Sequence, residues 1–142
     1  MYLFNSGTIK LTQTDDLNNV IEFFKYCVSS DLYEIEESDL DCMKTSFNEQ
    51  LHKYIVEFSF WEFNLENLLT DFVEYCKSSN ISISFYIKYT GDYVGGYYYE
   101  SNMDEMEYLD EFDVAARAVD DNRILKECAR RGLYINSKPL LS

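Results

Sequence analysis

The chain contains little proline and glycine, the residues that mark linkers and disordered segments. Among its 142 residues there is one proline, Pro139, and there are five glycines. Linkers and disordered segments are enriched in both residue types and poor in apolar ones, whereas 46% of this chain is hydrophobic. The length is that of one ordinary domain. We therefore expect a single domain over residues 1–142.

Histidine is almost missing, which excludes most nucleophilic and metal chemistry. His52 is the only one, so a Ser–His–Asp or Cys–His arrangement would have to use it. Zinc-type spacing of cysteine and histidine is absent. Met43 and Lys44 break the calcium loop that Asp39 and Asp41 would begin. We expect no catalytic residue, no metal and no cofactor. A small carboxylate-dependent hydrolase stays open as an alternative, because 26 acids are available.

The chain also lacks long apolar runs and C-x-x-C pairs. No stretch approaches the ~20 apolar residues that span a bilayer, and the first residues have no secretory pattern. The four cysteines, at positions 27, 42, 76 and 128, stand apart. Isolated thiols are typical of a reducing compartment. We expect a protein of the bacterial cytoplasm with no membrane partner.

Apolar spacing predicts alternating strands and helices. Apolar stripes with spacings of three and four predict helices over 17–28 and 65–76, the second capped by Asn64. Asp120 or Asp121 offers a cap for a third helix that runs to Arg131 and ends at Gly132. Segment 38–52 has no clear period. Alternation predicts strands over 8–12, 33–37, 54–60, 81–89, 93–100 and 133–136.

The order of these elements predicts the fold class. Residues 17–21 (LNNVI) and 65–69 (LENLL) echo each other, and each begins a helix that a strand precedes and another follows. Two strand–helix–strand units in tandem make a ferredoxin-like sandwich. Strand 81–89 has one apolar and one polar face, as a sheet covered on one side requires. We expect an α+β fold with a ferredoxin-like antiparallel sheet, two helices on one face and a C-terminal helix.

Negative charge dominates most of the chain. The formal net charge is −14, and residues 1–113 hold 23 of the 26 acids but only 6 of the 12 bases. Residues 114–142 carry a net charge of +3. A field of this sign repels nucleic acids and anionic membranes and draws basic protein surfaces toward the molecule. Solubility alone is the plainer explanation of the charge.

The acids are concentrated in two clusters accompanied by tyrosine, a residue enriched at interfaces. Glu34 and Glu36 would lie about 6.6 Å apart on a strand, and Glu107 and Glu111 about 5–6 Å apart on a helix. Either spacing resembles a row of phosphates. The candidate partner-binding residues are the first acidic cluster, Glu34, Glu36, Glu37, Asp39 and Asp41, the second acidic cluster, Asp104, Glu105, Glu107, Asp110, Glu111 and Asp113, and the tyrosines Tyr97 and Tyr99.

Two features carry a resemblance to known proteins. Residues 85–98 read FYIKYTGDYVGGYY, and this hairpin resembles the central hairpin of small ferredoxin-like proteins carried by phages and plasmids. The acidic, tyrosine-rich composition is similar to that of anti-restriction and anti-CRISPR inhibitors. The resemblance implies a protein that blocks a nucleic-acid-handling defence complex by occupying its basic surface. It transfers no catalytic residue.

We therefore expect an acidic inhibitor that binds a basic protein or ribonucleoprotein complex, as a monomer or homodimer and without binding nucleic acid directly. It would be encoded by a phage or mobile element and would act as a nucleic-acid mimic or by another mode of blocking. The alternative is an immunity protein or antitoxin that neutralises one basic toxin.

Overall fold

The computed structural model describes residues 3–62 and 65–118, together with two short strands, Tyr134–Ile135 and Lys138–Pro139. Residues 3–62 and 65–118 form a mixed α+β fold with an open six-stranded antiparallel sheet and four helices. The strands are β1 Leu3–Leu11, β2 Lys44–Asn48, β3 Lys53–Glu62, β4 Ile83–Gly91, β5 Gly95–Glu100 and β6 Glu107–Leu109. The helices are α1 Thr14–Ser30, α2 Glu37–Leu40, α3 Glu66–Ser78 and α4, whose described residues are 111–118.

Strand β1 lies in the middle of the sheet, whose order is β2-β3-β1-β4-β5-β6. All nine of its residues pair with β3 on one side and with β4 on the other. Ile9 stands opposite Val56 and Phe85, and Gly7 stands opposite Phe58 and Ile87. The register of three strands is thus fixed by one strand.

Alternation along the strands gives the sheet two unlike faces. The core face carries Ile9 and Leu11 of β1 and the residues paired with them, of which Val56, Phe85 and Ile83 are buried and Tyr54 is half-buried. The outer face carries Phe4, Ser6 and Thr8 of β1, then Lys10, and the residues paired with these four. Serine, threonine, tyrosine and lysine predominate there, so the outer face is polar.

Phenylalanine rings join the helices to the core face. Phe24 of α1 packs against Phe58 and Phe60 with ring centroids 6.4 Å away. Phe72 of α3 lies 5.3 Å from Phe24 and 6.3 Å from Phe85 of β4. Phe72 is fully buried, so a single ring connects both long helices with the sheet.

Two glycines permit close approach of the strands. A Cβ atom on Gly7 would lie 2.6 Å from the Tyr86 carbonyl oxygen. One on Gly95 would lie 2.7 Å from the Leu109 carbonyl oxygen. Both distances are too short for a side chain, which explains why glycine occupies the centre of β1 and the start of β5.

Most predicted elements are present. Helices predicted over 17–28 and 65–76 correspond to α1 and α3, and strands predicted over 54–60, 81–89 and 93–100 correspond to β3, β4 and β5. The strand predicted over 8–12 is the second half of a longer one, β1. Segment 38–52 contains α2, β2 and a turn in which His52 has a φ of 52°.

The strand predicted over 33–37 is wrong. Residues 31–36 follow an irregular path, and α2 begins at Glu37. The side chains of Glu36 and Asp39 each accept a hydrogen bond from the other's backbone N–H, which starts the helix. Only Ile35 of this segment is buried in the core, and two apolar positions cannot distinguish a strand from a loop.

The C-terminal part also differs from expectation. Helix α4 already includes residues 111–118, well before the predicted caps. Tyr134–Ile135 pairs with Lys138–Pro139 in a separate two-stranded sheet and adds no strand to the main sheet. The predicted caps Asn64, Asp120 and Asp121, and the predicted helix end at Arg131 and Gly132, lie outside the described residues.

Phe72→Ala should lower the free energy of unfolding by about 3–5 kcal/mol, because it removes a buried ring and leaves a cavity. Chemical denaturation followed by circular dichroism measures this change. The matched control is Phe112→Ala, where the ring is 75% exposed; this change should cost less than about 0.5 kcal/mol. Equal losses in the two variants would contradict the assigned core.

Candidate functional site

The first acidic cluster lies on the connection between α1 and the edge strand β2. Glu34, Glu37 and Asp41 are exposed and project from irregular chain or from α2. Glu36 and Asp39 cap α2, which gives both carboxylates a structural role. The predicted strand-like spacing of Glu34 and Glu36 is therefore wrong, because neither residue lies on a strand.

The second acidic cluster surrounds β6, the strand at the opposite edge of the sheet. Asp104 and Glu105 lie just before β6, Glu107 lies on it, and Glu111 lies on α4. The predicted helical spacing of Glu107 and Glu111 is therefore wrong: the two carboxylates belong to different elements. All six acids of the cluster are exposed.

Two acids of the second cluster begin α4. The backbone N–H of Asp113 donates to Asp110 Oδ1 at 2.8 Å, and the N–H of Asp110 donates to Asp113 Oδ2 at 3.1 Å. This reciprocal cap satisfies donors that a helix start leaves without partners. Asp110 and Asp113 thus stabilise the fold locally, and the remaining acids of the cluster make no such bonds among the described residues.

Tyr97 and Tyr99 are not available to a partner, contrary to the prediction. Only 4% of Tyr97 and 2% of Tyr99 is exposed. Tyr97 stands opposite Ile87 and Tyr99 opposite Phe85, so both rings point into the core face. Tyr98 points to the outer face, where the Arg117 guanidinium lies 4.5 Å from its ring centroid.

Helix α3 contributes carboxylates that sequence reasoning missed. The Tyr33 hydroxyl donates to Asp71 of α3 beside the first acidic cluster. The Tyr108 hydroxyl donates to Glu66 of α3 at 3.2 Å beside the second. Glu74 is exposed on the same helix. The signal was available in the sequence, because these three acids fall between the apolar positions of the predicted stripe.

The acids form an extended surface rather than one compact row. The two clusters are attached to opposite edges of a six-stranded sheet, about 24 Å apart from five spacings of about 4.8 Å. Both clusters connect to α3 through tyrosine hydroxyls. We call the two clusters together with Glu66, Asp71 and Glu74 the acidic surface.

Positive side chains are collected elsewhere. The structure describes seven lysine and arginine side chains, and four of them, Lys10, Lys44, Lys53 and Lys88, lie on the outer face. A fifth, Arg117 of α4, lies over the rings of two outer-face tyrosines. Among the described residues the single ion pair is Lys25–Glu22, at 3.3 Å. The acidic surface is therefore not neutralised by ion pairs within the described part of the chain.

No constellation for metal or triad chemistry is found in the described part of the chain. No three histidine, cysteine or carboxylate side chains there stand close enough to hold a metal ion. His52 is exposed in the turn between β2 and β3. The thiols of Cys27 and Cys76 are buried, and burial raises the pKa of each to about 12. Neither thiol is an activated nucleophile at neutral pH.

Among the described residues, no helix combines the length and the apolar character that crossing a bilayer requires. Comparison with protein-family models, with curated proteins and with solved structures finds no match for this chain.

The Tyr33–Asp71 hydrogen bond should make stability depend on alkaline pH. Burial and the hydrogen bond to Asp71 raise the pKa of Tyr33 above its ordinary value of 10. As pH rises, the Tyr33 hydroxyl therefore loses its proton in the unfolded chain before it does so in the folded protein. The stabilisation is complete below pH 10 and is lost as pH rises further.

Tyr33→Phe should lower the free energy of unfolding by about 0.5–1.5 kcal/mol at neutral pH, and the difference from the wild type should shrink above pH 10. Denaturant titrations at several pH values measure it. Tyr26→Phe, which removes an exposed hydroxyl with no hydrogen bond among the described residues, is the control. A pH-independent difference for Tyr33→Phe would show that the contact with Asp71 is not formed.

Proposed function

We propose that the protein is an acidic inhibitor that binds a basic nucleic-acid-binding surface of a bacterial defence complex, of the anti-CRISPR or anti-restriction type. The observation that supports this most is the separation of charge. Carboxylates cover α3 and both sheet edges, while most described cations lie on the outer face. Among the described cations, Lys77 of α3 is the one attached to the acidic surface, where its ammonium donates to the Asp104 carbonyl oxygen. A basic partner would therefore meet mostly carboxylates there.

The energetics favour a functional reason for this separation. Exposed like charges repel one another and oppose the compact state. Placing lysines among the acids would relieve that repulsion, but the described residues contain a single ion pair. Binding a basic surface supplies the missing positive charge, and long-range attraction accelerates the encounter.

The proposal concerns occlusion of a basic surface, as a monomer or homodimer in the bacterial cytoplasm. It does not include a regular imitation of the nucleic-acid backbone. The two spacings that suggested a row of phosphates belong to residues on an irregular connection and on two different elements. An extended acidic surface that spans about 24 Å across the sheet suits a broad basic cleft.

We further propose that the fold is ferredoxin-like. The support is the succession β1, α1, β2, β3, α3, β4 together with the order β2-β3-β1-β4 within the sheet, which is the pattern of a split strand–helix–strand sandwich. The contacts of Phe24 and Phe72 with core-face rings support placement of both helices on that face. Strands β5 and β6 extend the sheet beyond β4.

The test is inhibition of DNA cleavage by a panel of purified CRISPR effector complexes and restriction endonucleases. The wild type should inhibit at least one of them. Its apparent affinity should fall as salt rises from about 0.05 M to about 0.5 M, because the Debye screening length shortens from about 14 Å to about 4 Å. The fourfold variant Glu34→Lys, Glu37→Lys, Glu105→Lys, Glu111→Lys should weaken inhibition at least about tenfold. It leaves the caps of α2 and α4 intact.

A charge-matched comparison uses the double variant Glu34→Lys, Glu105→Lys, which should also weaken inhibition. Its control is Glu49→Lys, Asp92→Lys, whose residues are exposed in the hairpin turns outside the acidic surface. It should inhibit nearly as well as the wild type. Equal loss in both variants would show that net charge, and not the acidic surface, is responsible. Salt-independent inhibition would refute the proposal. Neutralisation of a basic toxin, with cleavage by every defence complex unaffected, would favour the immunity-protein alternative.

A further inference from the structure

The outer face contains a cavity that the acidic surface does not use. Its volume is about 510 Å³, and it is bounded by β1, β3 and β4 from below and by α4 at the side. This size lies within the range of about 300–1,000 Å³ that is typical of small-molecule sites. Val114 and Arg117 of α4 belong to its wall, so the helix turns a flat sheet face into a pocket.

Three cations line this pocket. Lys44 of β2, Lys88 of β4 and Arg117 of α4 come from three separate elements, and one carboxylate, Glu57, lines the pocket with them. The local balance is therefore positive in a protein whose net charge is −14. Convergence of ammonium and guanidinium groups from different elements is the arrangement that binds phosphate oxygens.

Hydroxyl groups cover the floor between these cations. Ser6 and Thr8 of β1 and Ser59 of β3 line the same pocket. All three lie on the outer face, because along their own strands they alternate with residues of the core face. Hydroxyls donate hydrogen bonds to anionic oxygens and carry no charge, so they add specificity without adding repulsion.

The guanidinium of Arg117 is held in place. It lies 5.1 Å from the ring centroid of Tyr86 and 4.5 Å from that of Tyr98. Both distances fall within the ~6 Å reach of a cation–π interaction. An arginine fixed by two rings loses little freedom when it binds an anion, which favours binding.

An exposed aromatic pair adjoins the pocket. Phe4 and Trp61 pack with ring centroids 4.8 Å apart. They stand opposite each other on β1 and β3, two residues away from the pocket residues Ser6 and Ser59, which also stand opposite each other. Trp61 is 69% exposed. A planar base can stack on such a ring, as bases do on aromatic side chains elsewhere.

The negative net charge does not forbid an anion at this place. At physiological ionic strength, charges more than about 8 Å apart are largely screened. Asp41 of the first acidic cluster precedes the pocket residue Cys42, and Glu107 of the second lies opposite Tyr98 on the outer face. Within the pocket itself, however, three cations line the wall with one carboxylate, Glu57. The nearby cations decide the local potential.

We propose that this pocket binds a small phosphate-bearing molecule, whose phosphate oxygens Lys44, Lys88 and Arg117 contact. Where the ligand is a nucleotide, its base stacks on Trp61. The site is separate from the acidic surface, so it stands or falls independently of the proposed inhibition.

Isothermal titration with inorganic pyrophosphate, ATP and adenosine tests the site on the full chain. Pyrophosphate and ATP should bind, and adenosine should not. Trp61 is the only tryptophan, so its fluorescence should change with ATP and much less with pyrophosphate. Lys88→Glu should weaken both phosphate ligands at least about tenfold, the loss of one charge-assisted contact.

The matched control is Lys25→Glu on α1, which changes net charge equally but lies away from the pocket; it should bind like the wild type. Lys44→Glu, at an exposed position of an edge strand, is a second pocket variant if Lys88→Glu fails to fold by circular dichroism. No heat with any phosphate ligand at millimolar concentration would overturn the proposal. So would equal weakening by Lys25→Glu, or adenosine binding as tightly as ATP.

Discussion

The double pairing of β1 is the constraint on which the rest of the structure depends. Because β1 hydrogen-bonds to β3 and β4 along its whole length, its alternation determines which face each neighbour presents to the core. A shift of one residue would turn Ile9 and Leu11 outward and bring Lys10 inward. Gly7 at the centre lets β4 approach β1 closely. Burial of Val56, Phe85 and their neighbours follows from this register.

The same alternation separates the charges. Lys10 lies between the buried Ile9 and Leu11, and Lys88 follows the buried Ile87. The alternation that buries these neighbours turns both lysines to the outer face. Most acids of the acidic surface occur where the core imposes no alternation: on exposed positions of α3, on connections and at helix starts. Glu107 is the exception, because it lies on β6 opposite the outer-face residue Tyr98. On our two proposals, one molecule presents an acidic surface to a basic protein and a small positive pocket to an anion. The pocket is lined by none of the residues that define the acidic surface.

Sequence reasoning succeeded where a period was repeated several times. The stripes over 17–28 and 65–76 and the alternation over 54–60 and 81–89 each involve four or more apolar positions, and all correspond to elements of the structure. The segment 33–37 has only two such positions, and a local cap between Glu36 and Asp39 decided its conformation.

The candidate site was harder to predict, because exposure depends on tertiary pairing. In Tyr97-Tyr98-Tyr99, alternation requires neighbours to face opposite ways but cannot say which way. Pairing of β5 with β4 places Tyr97 and Tyr99 inward and Tyr98 outward. The pocket on the outer face was not foreseen, since Lys44, Lys88 and Arg117 are far apart in sequence and meet only through sheet order and α4.

Separation of charge between the acidic surface and the outer face is the central claim, and it can be measured residue by residue. Paramagnetic relaxation enhancement by a cationic and by an anionic nitroxide cosolute reports the electrostatic potential near each proton. Protons of Asp71, Glu74 and Glu105 should be relaxed far more by the cationic probe, whereas those of Thr8, Lys88 and Ser59 should favour the anionic one. Preference for the cationic probe over the whole molecule, the outer face included, would contradict this account.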